Sequence, residues 1–242
     1  MLEIACVVQP GQYPGNDDRA VVNSKLIEEG AYTENAATRC FAAVCDGVAG
    51  TSFGNEAAQI VARHFSGLSG AKLTVDLIGR HVIKANEKVA AAQAVDYARR
   101  KMSTTIAGIY IDGDDFIAFN VGDSRVYRCR TYLYQISKDH SVRQEQIELG
   151  LTPKPGAENY ITRYMGGTIV AIPEIVDGAG KVLINDLYVL CTDGVWGDLT
   201  EDEFEDILSR ESNLENACRR LIDLAVQNGS KDDLSVIIIR RT

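Results

Sequence analysis

Aspartates recur in this sequence at the ends of apolar runs, where a β-sheet would place them along one edge. Four stand beside such a run: Asp46, Asp123, Asp193 and Asp232. Asp46 and Asp193 each precede a glycine, and each of the four is a good turn residue when taken singly. Several carboxylates that converge repel one another unless a cation lies among them. The set as a whole therefore favours a metal site.

Asn16-Asp17-Asp18 adds two more carboxylates just before an early apolar run. Oxygen ligands without His or Cys are those that Mg²⁺ and Mn²⁺ prefer. A zinc site would need His or Cys, and the three histidines lie in poor positions for it: His64, His81 and His140. Two metals about 4 Å apart can share a bridging hydroxide and hydrolyse a phosphate ester.

Hydrophobic periodicity predicts the elements that position these residues, in one continuous domain. Helices are expected from about 55, over 74–100, 141–149, 200–208 and 213–227. Strands are expected over 2–8, 20–27, 40–45, 104–111, 115–121, 124–130, 132–136, 169–176, 187–191 and 234–240. This order lacks regular βαβ alternation. It predicts an α+β fold of two sheets packed face to face, with helix pairs on the outsides.

Composition excludes several classes of protein. The chain has 25 Lys and Arg against 34 Asp and Glu, a net charge of −9, which opposes binding to nucleic acid or to an anionic membrane surface. No apolar run approaches the ~20 residues that span a bilayer. The first ten residues lack the basic start of a signal peptide, so a cytoplasmic protein is expected. The six cysteines form no CxxC pair and are interpreted as buried apolar side chains.

Seven motifs occur in a fixed order along nearly the whole chain. They are Asn16-Asp17-Asp18, Asp46-Gly47-Val48-Ala49-Gly50 with Gly54 and Glu56, Met102-Ser103-Thr104-Thr105, Val121-Gly122-Asp123-Ser124-Arg125 with Asp139-His140-Ser141, Ile161-Thr162-Arg163 with Gly166, Cys191-Thr192-Asp193-Gly194, and Asp232-Asp233-Leu234-Ser235. In this order they resemble the metal-dependent serine/threonine protein phosphatases of type 2C, the PPM family, in compact bacterial form. The resemblance implies one domain over 1–242, a four-layer αββα arrangement with a central β-sandwich of two antiparallel sheets.

The resemblance also implies roles for the main carboxylates. Asp46 would bridge two metals, with the carbonyl of Gly47 as a further ligand. Asp193 and Asp232 would hold one of the two metals, and these three aspartates are the expected catalytic set.

The remaining acidic positions carry implied supporting roles. Asp18 would support the other metal, largely through water, and Asp17 would act through waters around the site. Asp123, together with Asp193, would bind a weaker third ion. Asp233 stands where the family usually has Asn, so it adds a negative charge near the site.

Other departures from the family pattern concern the phosphate site. Members often carry an Arg three residues before the Asn of the first motif, and Tyr13 occupies that position here. Arg19, from a neighbouring strand, is the alternative candidate for gripping the phosphate. Ala49 and Ser103 replace glycines, which could shift the geometry of their loops.

The resemblance implies an enzyme that hydrolyses phosphoserine and phosphothreonine on proteins, by attack of a metal-bridging hydroxide. It would use Mg²⁺ or Mn²⁺, two ions held tightly and a third more weakly. Phosphorylated proteins of a Ser/Thr kinase pathway are the expected partners, and a monomer is expected. The alternative is a catalytically silent phosphatase fold that binds a kinase or phosphoprotein as a regulator.

Overall fold

Two six-stranded antiparallel sheets form the centre of the protein. The structure is a computed structural model, and it describes residues 1–48, 53–68, 70–167, 171–178 and 180–242. With strands numbered in chain order, the first sheet has the order β4 (Gly30–Ala36), β1 (Leu2–Gln9), β12 (Leu234–Arg241), β11 (Leu187–Cys191), β8 (Arg125–Cys129) and β9 (Leu133–Gln135). The second has the order β10 (Glu174–Asp177), β7 (Asp115–Val121), β6 (Ile106–Asp112), β5 (Arg39–Cys45), β2 (Arg19–Val22) and β3 (Lys25–Ile27).

The inner faces of the two sheets pack against each other through aliphatic and aromatic side chains. Tyr188 of β11 lies against Phe116 of β7, with ring centroids 5.4 Å apart, and Ile109 and Ile237 are fully buried beside them. Alternation along each strand sends every second side chain into this layer. The sandwich is therefore held mainly by burial of β-branched and aromatic surface.

One helix pair covers the outer face of the second sheet. α1 (Gly54–Ser66) and α2 (Val75–Val95) contact this sheet through apolar stripes. Phe65 of α1 stacks on both Phe41 and Phe119: its ring centroid lies 5.5 Å from each, and theirs lie 6.2 Å from each other. Thr74 caps α2 by accepting the Leu77 amide.

A second helix pair covers the outer face of the first sheet. α5 (Glu201–Arg210) begins with the capping box that Thr200 and Glu203 form, and α6 (Leu214–Asn228) ends at Gly229, whose φ is 119°. α3 (Val142–Glu148) and α4 (Asp193–Trp196) are shorter. The four-layer αββα arrangement predicted from the sequence is thus confirmed. None of the described helices has the length and apolar character to cross a membrane.

Three expectations about the elements need correction. The strand expected over 20–27 is a hairpin, β2 and β3, because Asn23 turns the chain with a φ of 51°. The helix expected over 74–100 ends at Val95 and a 3₁₀ turn, Tyr97–Arg99, follows. The strand expected over 169–176 is seen from Glu174, and residues 168–170 lie outside the described ones.

β4 is missing from the expected elements. It pairs along β1 as the edge of its sheet, with Glu34 opposite Ile4. Its sequence is short of apolar residues because one face and one edge meet solvent. Edge strands of this composition resist pairing with other chains.

Replacing Phe65 with alanine is expected to destabilise the protein by about 3–5 kcal/mol, since the change leaves a cavity beside two aromatic rings. Urea denaturation monitored by circular dichroism measures this loss. Val95→Ala is the control: Val95 is 85% exposed, so its change should stay within about 0.5 kcal/mol. A loss below about 1 kcal/mol for Phe65→Ala would contradict the packing described.

Candidate functional site

The strand registers bring the predicted carboxylates to one end of the sandwich. In the second sheet, the start of β2 pairs with the end of β5, and the start of β6 with the end of β7, which places Asp18, Asp46 and Asp123 together. In the first sheet, the end of β11 pairs with the start of β12, next to Asp193 and Asp232. The expected convergence of the carboxylates is what the backbone shows.

Thr192 connects the two sheets at this end. Its hydroxyl donates to Asp18 Oδ2 at 2.8 Å and accepts the amide of Ser235 at 3.0 Å. Thr192 also precedes the first residue of α4, Asp193. A single hydroxyl thus fixes the strand end that carries Asp18 against the start of the helix that carries Asp193.

Neighbouring aspartates raise the pKa of several carboxyl groups in this cluster. The pKa of Asp46 lies well above its ordinary value because its carboxyl group is desolvated and because Asp193 and Asp18 are negative. Desolvation, with the charge of Asp193, raises the pKa of Asp123 to about 8. The same two causes raise the pKa of Asp232 to about 6, although the residue as a whole is exposed to solvent.

Three carboxylate oxygens in this cluster are buried without a hydrogen-bond partner: Oδ1 of Asp18, Oδ1 of Asp123 and Oδ1 of Asp193. Buried acceptors normally find a donor, and these face other carboxylates, which cannot donate when ionised. Within the described ranges, no three His, Cys, Asp or Glu side chains already form a closed ligand set. The donor chemistry and the unsatisfied oxygens nonetheless fit a hard divalent cation.

The loop after Asp46 requires glycine on steric grounds. A Cβ on Gly47 would lie 2.5 Å from the backbone of Gly54, while the Gly47 amide donates to the carbonyl of Asp17 at 3.2 Å. Asp17 in turn accepts the amide of Asn55 at 3.0 Å. The start of α1 is therefore packed directly on the Asp46-Gly47 turn; Ala49 and Gly50 of the same motif lie outside the described residues.

The carbonyl of Asp46 is held by two consecutive threonines. Thr104 Oγ1 donates to it at 2.7 Å and the amide of Thr105 at 2.8 Å. Both threonines stand in one of the seven motifs, but the sequence alone predicts no role for them. The contact joins residues 58 and 59 positions apart, which no local pattern reveals.

Asp233 serves as a clamp for the loop that precedes β2. Its Oδ1 accepts the amide of Gly11 at 2.8 Å, and its Oδ2 accepts the amide of Asp17 at 2.6 Å. A Cβ on Gly11 would lie 2.2 Å from the carbonyl oxygen of Asp232. Both carboxylate oxygens of Asp233 are therefore used, whereas an asparagine offers a single acceptor oxygen.

The two phosphate-binding candidates occupy different surroundings. Tyr13 is 69% exposed on the clamped loop. Arg19 is buried, and its Nη1 donates to the carbonyls of Asp18 at 2.6 Å and Asn16 at 2.8 Å. Its Nε donates to Gln59 at 2.7 Å. The guanidinium of Arg19 thus orders the backbone that presents Asp18.

We expect the metal-free protein to lose stability as the pH rises from about 7 to 8. Asp123 has a raised pKa of about 8 in the fold against an ordinary value of 3.8, so in this range the folded state binds more protons than the unfolded state and unfolding becomes easier. Below about pH 7 the histidines oppose this effect, because unfolded histidine is half protonated near pH 6.5 while burial lowers the pKa of His64 and His140 to about 4. Above about pH 7 they are largely neutral in both states.

Thermal unfolding in EDTA at several pH values measures this effect. Asp123→Asn should flatten the decline, since the amide cannot ionise, and Mn²⁺ should offset it in the unmodified protein. A melting temperature that stays level or rises from pH 7 to 8 in EDTA would contradict the assigned desolvation.

Asp233→Asn is expected to release one of the two clamped amides, because one acceptor oxygen is replaced by a donor group. Amide hydrogen exchange at Gly11 or Asp17 should accelerate about 10-fold or more, in line with a lost bond to a charged acceptor worth about 1.5–3 kcal/mol. Asp115→Asn is the matched control: Asp115 accepts the amide of Gly180 at 2.6 Å on a distant hairpin. If hydrogen exchange at both amides were unchanged in Asp233→Asn, the role assigned to Asp233 would be refuted.

Comparison with known proteins agrees with this geometry. A profile described as protein phosphatase 2C matches residues 29–227. The chain is 27% identical over 238 residues to the serine/threonine phosphatase stp of Listeria welshimeri, and the match covers 93% of each protein. It is 30% identical over 154 residues to probable protein phosphatase 2C 28 of Arabidopsis thaliana; that match covers 57% of the chain and 45% of the plant protein. The chain thus aligns with under half the length of this plant relative.

Solved structures share the fold over the whole chain. The serine/threonine phosphatase of S. agalactiae superposes with a TM-score of 0.86 at 24% identity and covers 100% of both chains. The catalytic domain of a phosphatase PstP in complex with two manganese ions gives a TM-score of 0.79 at 22% identity over 99% of each chain. Since the matched profile spans most of the sequence, this protein belongs to the protein phosphatase 2C family.

Proposed function

We propose that residues 1–242 form a single phosphatase domain that hydrolyses phosphoserine and phosphothreonine on proteins in a metal-dependent reaction. The observation that carries this proposal is the cluster of desolvated carboxylates, with unsatisfied oxygens on Asp18, Asp123 and Asp193, at one end of a protein phosphatase 2C fold. The relatives named as serine/threonine phosphatases support it.

Mg²⁺ or Mn²⁺ is the proposed cofactor, in two tightly held ions and a weaker third. When bound, such ions make a water nucleophilic at neutral pH and neutralise charge at the phosphoryl group. A structural relative in complex with two manganese ions supports this choice of metal.

Asp46, the carbonyl of Gly47, Asp193 and Asp232 are the groups that we propose as principal ligands. Asp18 would support the second ion, held in orientation by the hydroxyl of Thr192. The threonine pair at 104–105 fixes the Asp46 carbonyl, so the Asp46 carboxylate projects from a backbone that does not need to reorganise during the reaction.

Asp123, with Asp193, is proposed as the site of the weaker ion. Asp17 and Asp233 would act on the site through the backbone. Asp17 accepts the Asn55 amide at the start of α1, and Asp233 clamps the loop at Asp17. Neither carboxylate needs to touch a metal to affect the site, because both set the position of the backbone around it.

The phosphate group would depend mainly on the metals. Arg19 uses its guanidinium on backbone carbonyls and on Gln59, which favours a positioning role for it. Tyr13 is exposed and could offer one neutral donor. A phenol contributes less than the paired, charged donors of an arginine.

The proposed substrates are phosphorylated proteins, with a Ser/Thr kinase pathway as the source of the phosphate, and we propose a cytoplasmic monomer. The silent alternative gains no support from the described residues, since each carboxylate expected in the site lies at the same end of the sandwich.

Replacing Asp46, Asp193 or Asp232 singly by asparagine is expected to lower turnover about 100-fold or more, because each change removes a charge and a ligand from the proposed metal pair. Hydrolysis of para-nitrophenyl phosphate and of a phosphothreonine peptide with added Mn²⁺ measures the loss; EDTA should abolish the activity of the unmodified protein.

Asp112→Asn is the control for these variants. Asp112 pairs with Arg39 at the opposite end of β5, so its loss should leave turnover unchanged. Circular dichroism should show that all variants are folded. Turnover close to normal in Asp46→Asn at saturating Mn²⁺ would refute the two-metal assignment.

A further inference from the structure

Arg125, the first residue of β8, lies at the edge of the carboxylate cluster, and its guanidinium group is fixed by contacts with three side chains. Its Nε lies 3.0 Å from Oδ1 of Asp139 and its Nη2 lies 2.6 Å from Oδ2, a paired contact. Its Nη1 donates to the hydroxyl of Tyr127 at 2.9 Å. The guanidinium carbon lies 3.3 Å from the ring centre of Trp196, so the planar group is fixed by both its edge and its face.

Trp196 joins two segments that carry carboxylates of the site. It is the last residue of α4, the helical turn that begins with Asp193. Its indole Nε1 donates to the backbone carbonyl of Asp123 at 3.1 Å. Any movement of the Trp196 ring would therefore change the position of α4 relative to the Asp123 turn.

The charge of Arg125 is also placed to affect these two carboxylates. Its positive charge lowers the pKa of Asp123 and of Asp193, against the rise that desolvation causes. The side chain of Arg125 is 16% exposed and that of Asp139 is 9% exposed. Loss of either residue would therefore leave the other as an unpaired, largely buried charge, which is destabilising. A lysine could supply the charge but neither the planar fork nor the stack.

We propose that Arg125 is a positioning residue for the Asp123 and Asp193 side of the site. Through its stack on Trp196 it sets how the two carboxylates face each other, and so how readily this side takes up a divalent cation. This inference rests on the proposed function and deepens it. Binding through Asp46 and Asp232 is expected to persist without Arg125.

The experiment uses Trp196 itself as the reporter, since it is the one tryptophan of the chain. Protein stripped with EDTA is titrated with Mn²⁺ while tryptophan emission is recorded, in the unmodified chain and in Arg125→Lys and Arg125→Gln. We expect the half-saturating Mn²⁺ concentration to rise about 10-fold or more in both variants, the usual effect of removing a partner that orients a metal ligand.

Arg130→Gln is the matched control. Arg130 directly follows β8 and makes the same kind of paired contact with Asp186, at 2.6 and 2.7 Å, at the opposite end of that strand. Its loss removes an ion pair of the same chemistry from the same sheet. The emission response of this variant to Mn²⁺ should match that of the unmodified protein.

Turnover gives a second readout. The Mn²⁺ concentration for half-maximal hydrolysis should rise in parallel with the emission data, while maximal turnover at saturating Mn²⁺ should change less than about 3-fold. If Arg125→Gln or Arg125→Lys showed the same half-saturating Mn²⁺ concentration as the unmodified protein, the proposal would be overturned. An equal effect in Arg130→Gln would also overturn it, since the response would then reflect general destabilisation.

Trp196→Phe keeps the proposal testable if the Arg125 variants do not fold. It preserves an aromatic face for Arg125 and removes the Nε1 donor to Asp123. Calorimetry should then show the tight Mn²⁺ sites intact and weaker binding elsewhere; binding identical to that of the unmodified protein would count against the proposal. If the unmodified protein hydrolyses no phosphoester, yet its emission responds to Mn²⁺ and Arg125 variants weaken that response, the positioning role stands and the proposed function fails.

Discussion

Mutual repulsion among desolvated carboxylates is the constraint on which the rest of this structure depends. Asp18, Asp46, Asp123, Asp193 and Asp232 are brought to one end of the sandwich, where desolvation raises the pKa of each, and the charge of neighbouring carboxylates adds to the rise for all but Asp193. Such an arrangement persists in a fold only when the rest of the chain over-determines it. Three apolar layers, one between the sheets and one beneath each helix pair, supply that rigidity.

Several polar contacts around the cluster tie distant segments of the chain together. Thr192 links Asp18 to the start of β12, the threonines at 104 and 105 hold the Asp46 carbonyl, and Asp233 fixes the loop at Asp17. Each of these contacts joins residues that are far apart in the sequence. The site is therefore assembled by the tertiary fold, and the positions of its carboxylates depend on strand ends that the packed core fixes.

The sequence was sufficient to predict what depends on local chemistry. Asp46 and Asp193 beside glycines marked strand ends, and the two-sheet arrangement followed from the order of elements. It missed β4, whose polar composition reflects its edge position, and the turn at Asn23, which depends on one residue with positive φ. The clamp of Asp233 and the stack of Arg125 on Trp196 join residues far apart in the chain, so no spacing rule could predict them.

The exposure of the carboxylates varies from one side of the cluster to the other. Asp232 is open to solvent, Asp46 and Asp193 are partly covered, and Asp18 is 1% exposed. A cation bound here would therefore be reached by solvent from the Asp232 side, and the water molecules that it kept would lie on that side as well.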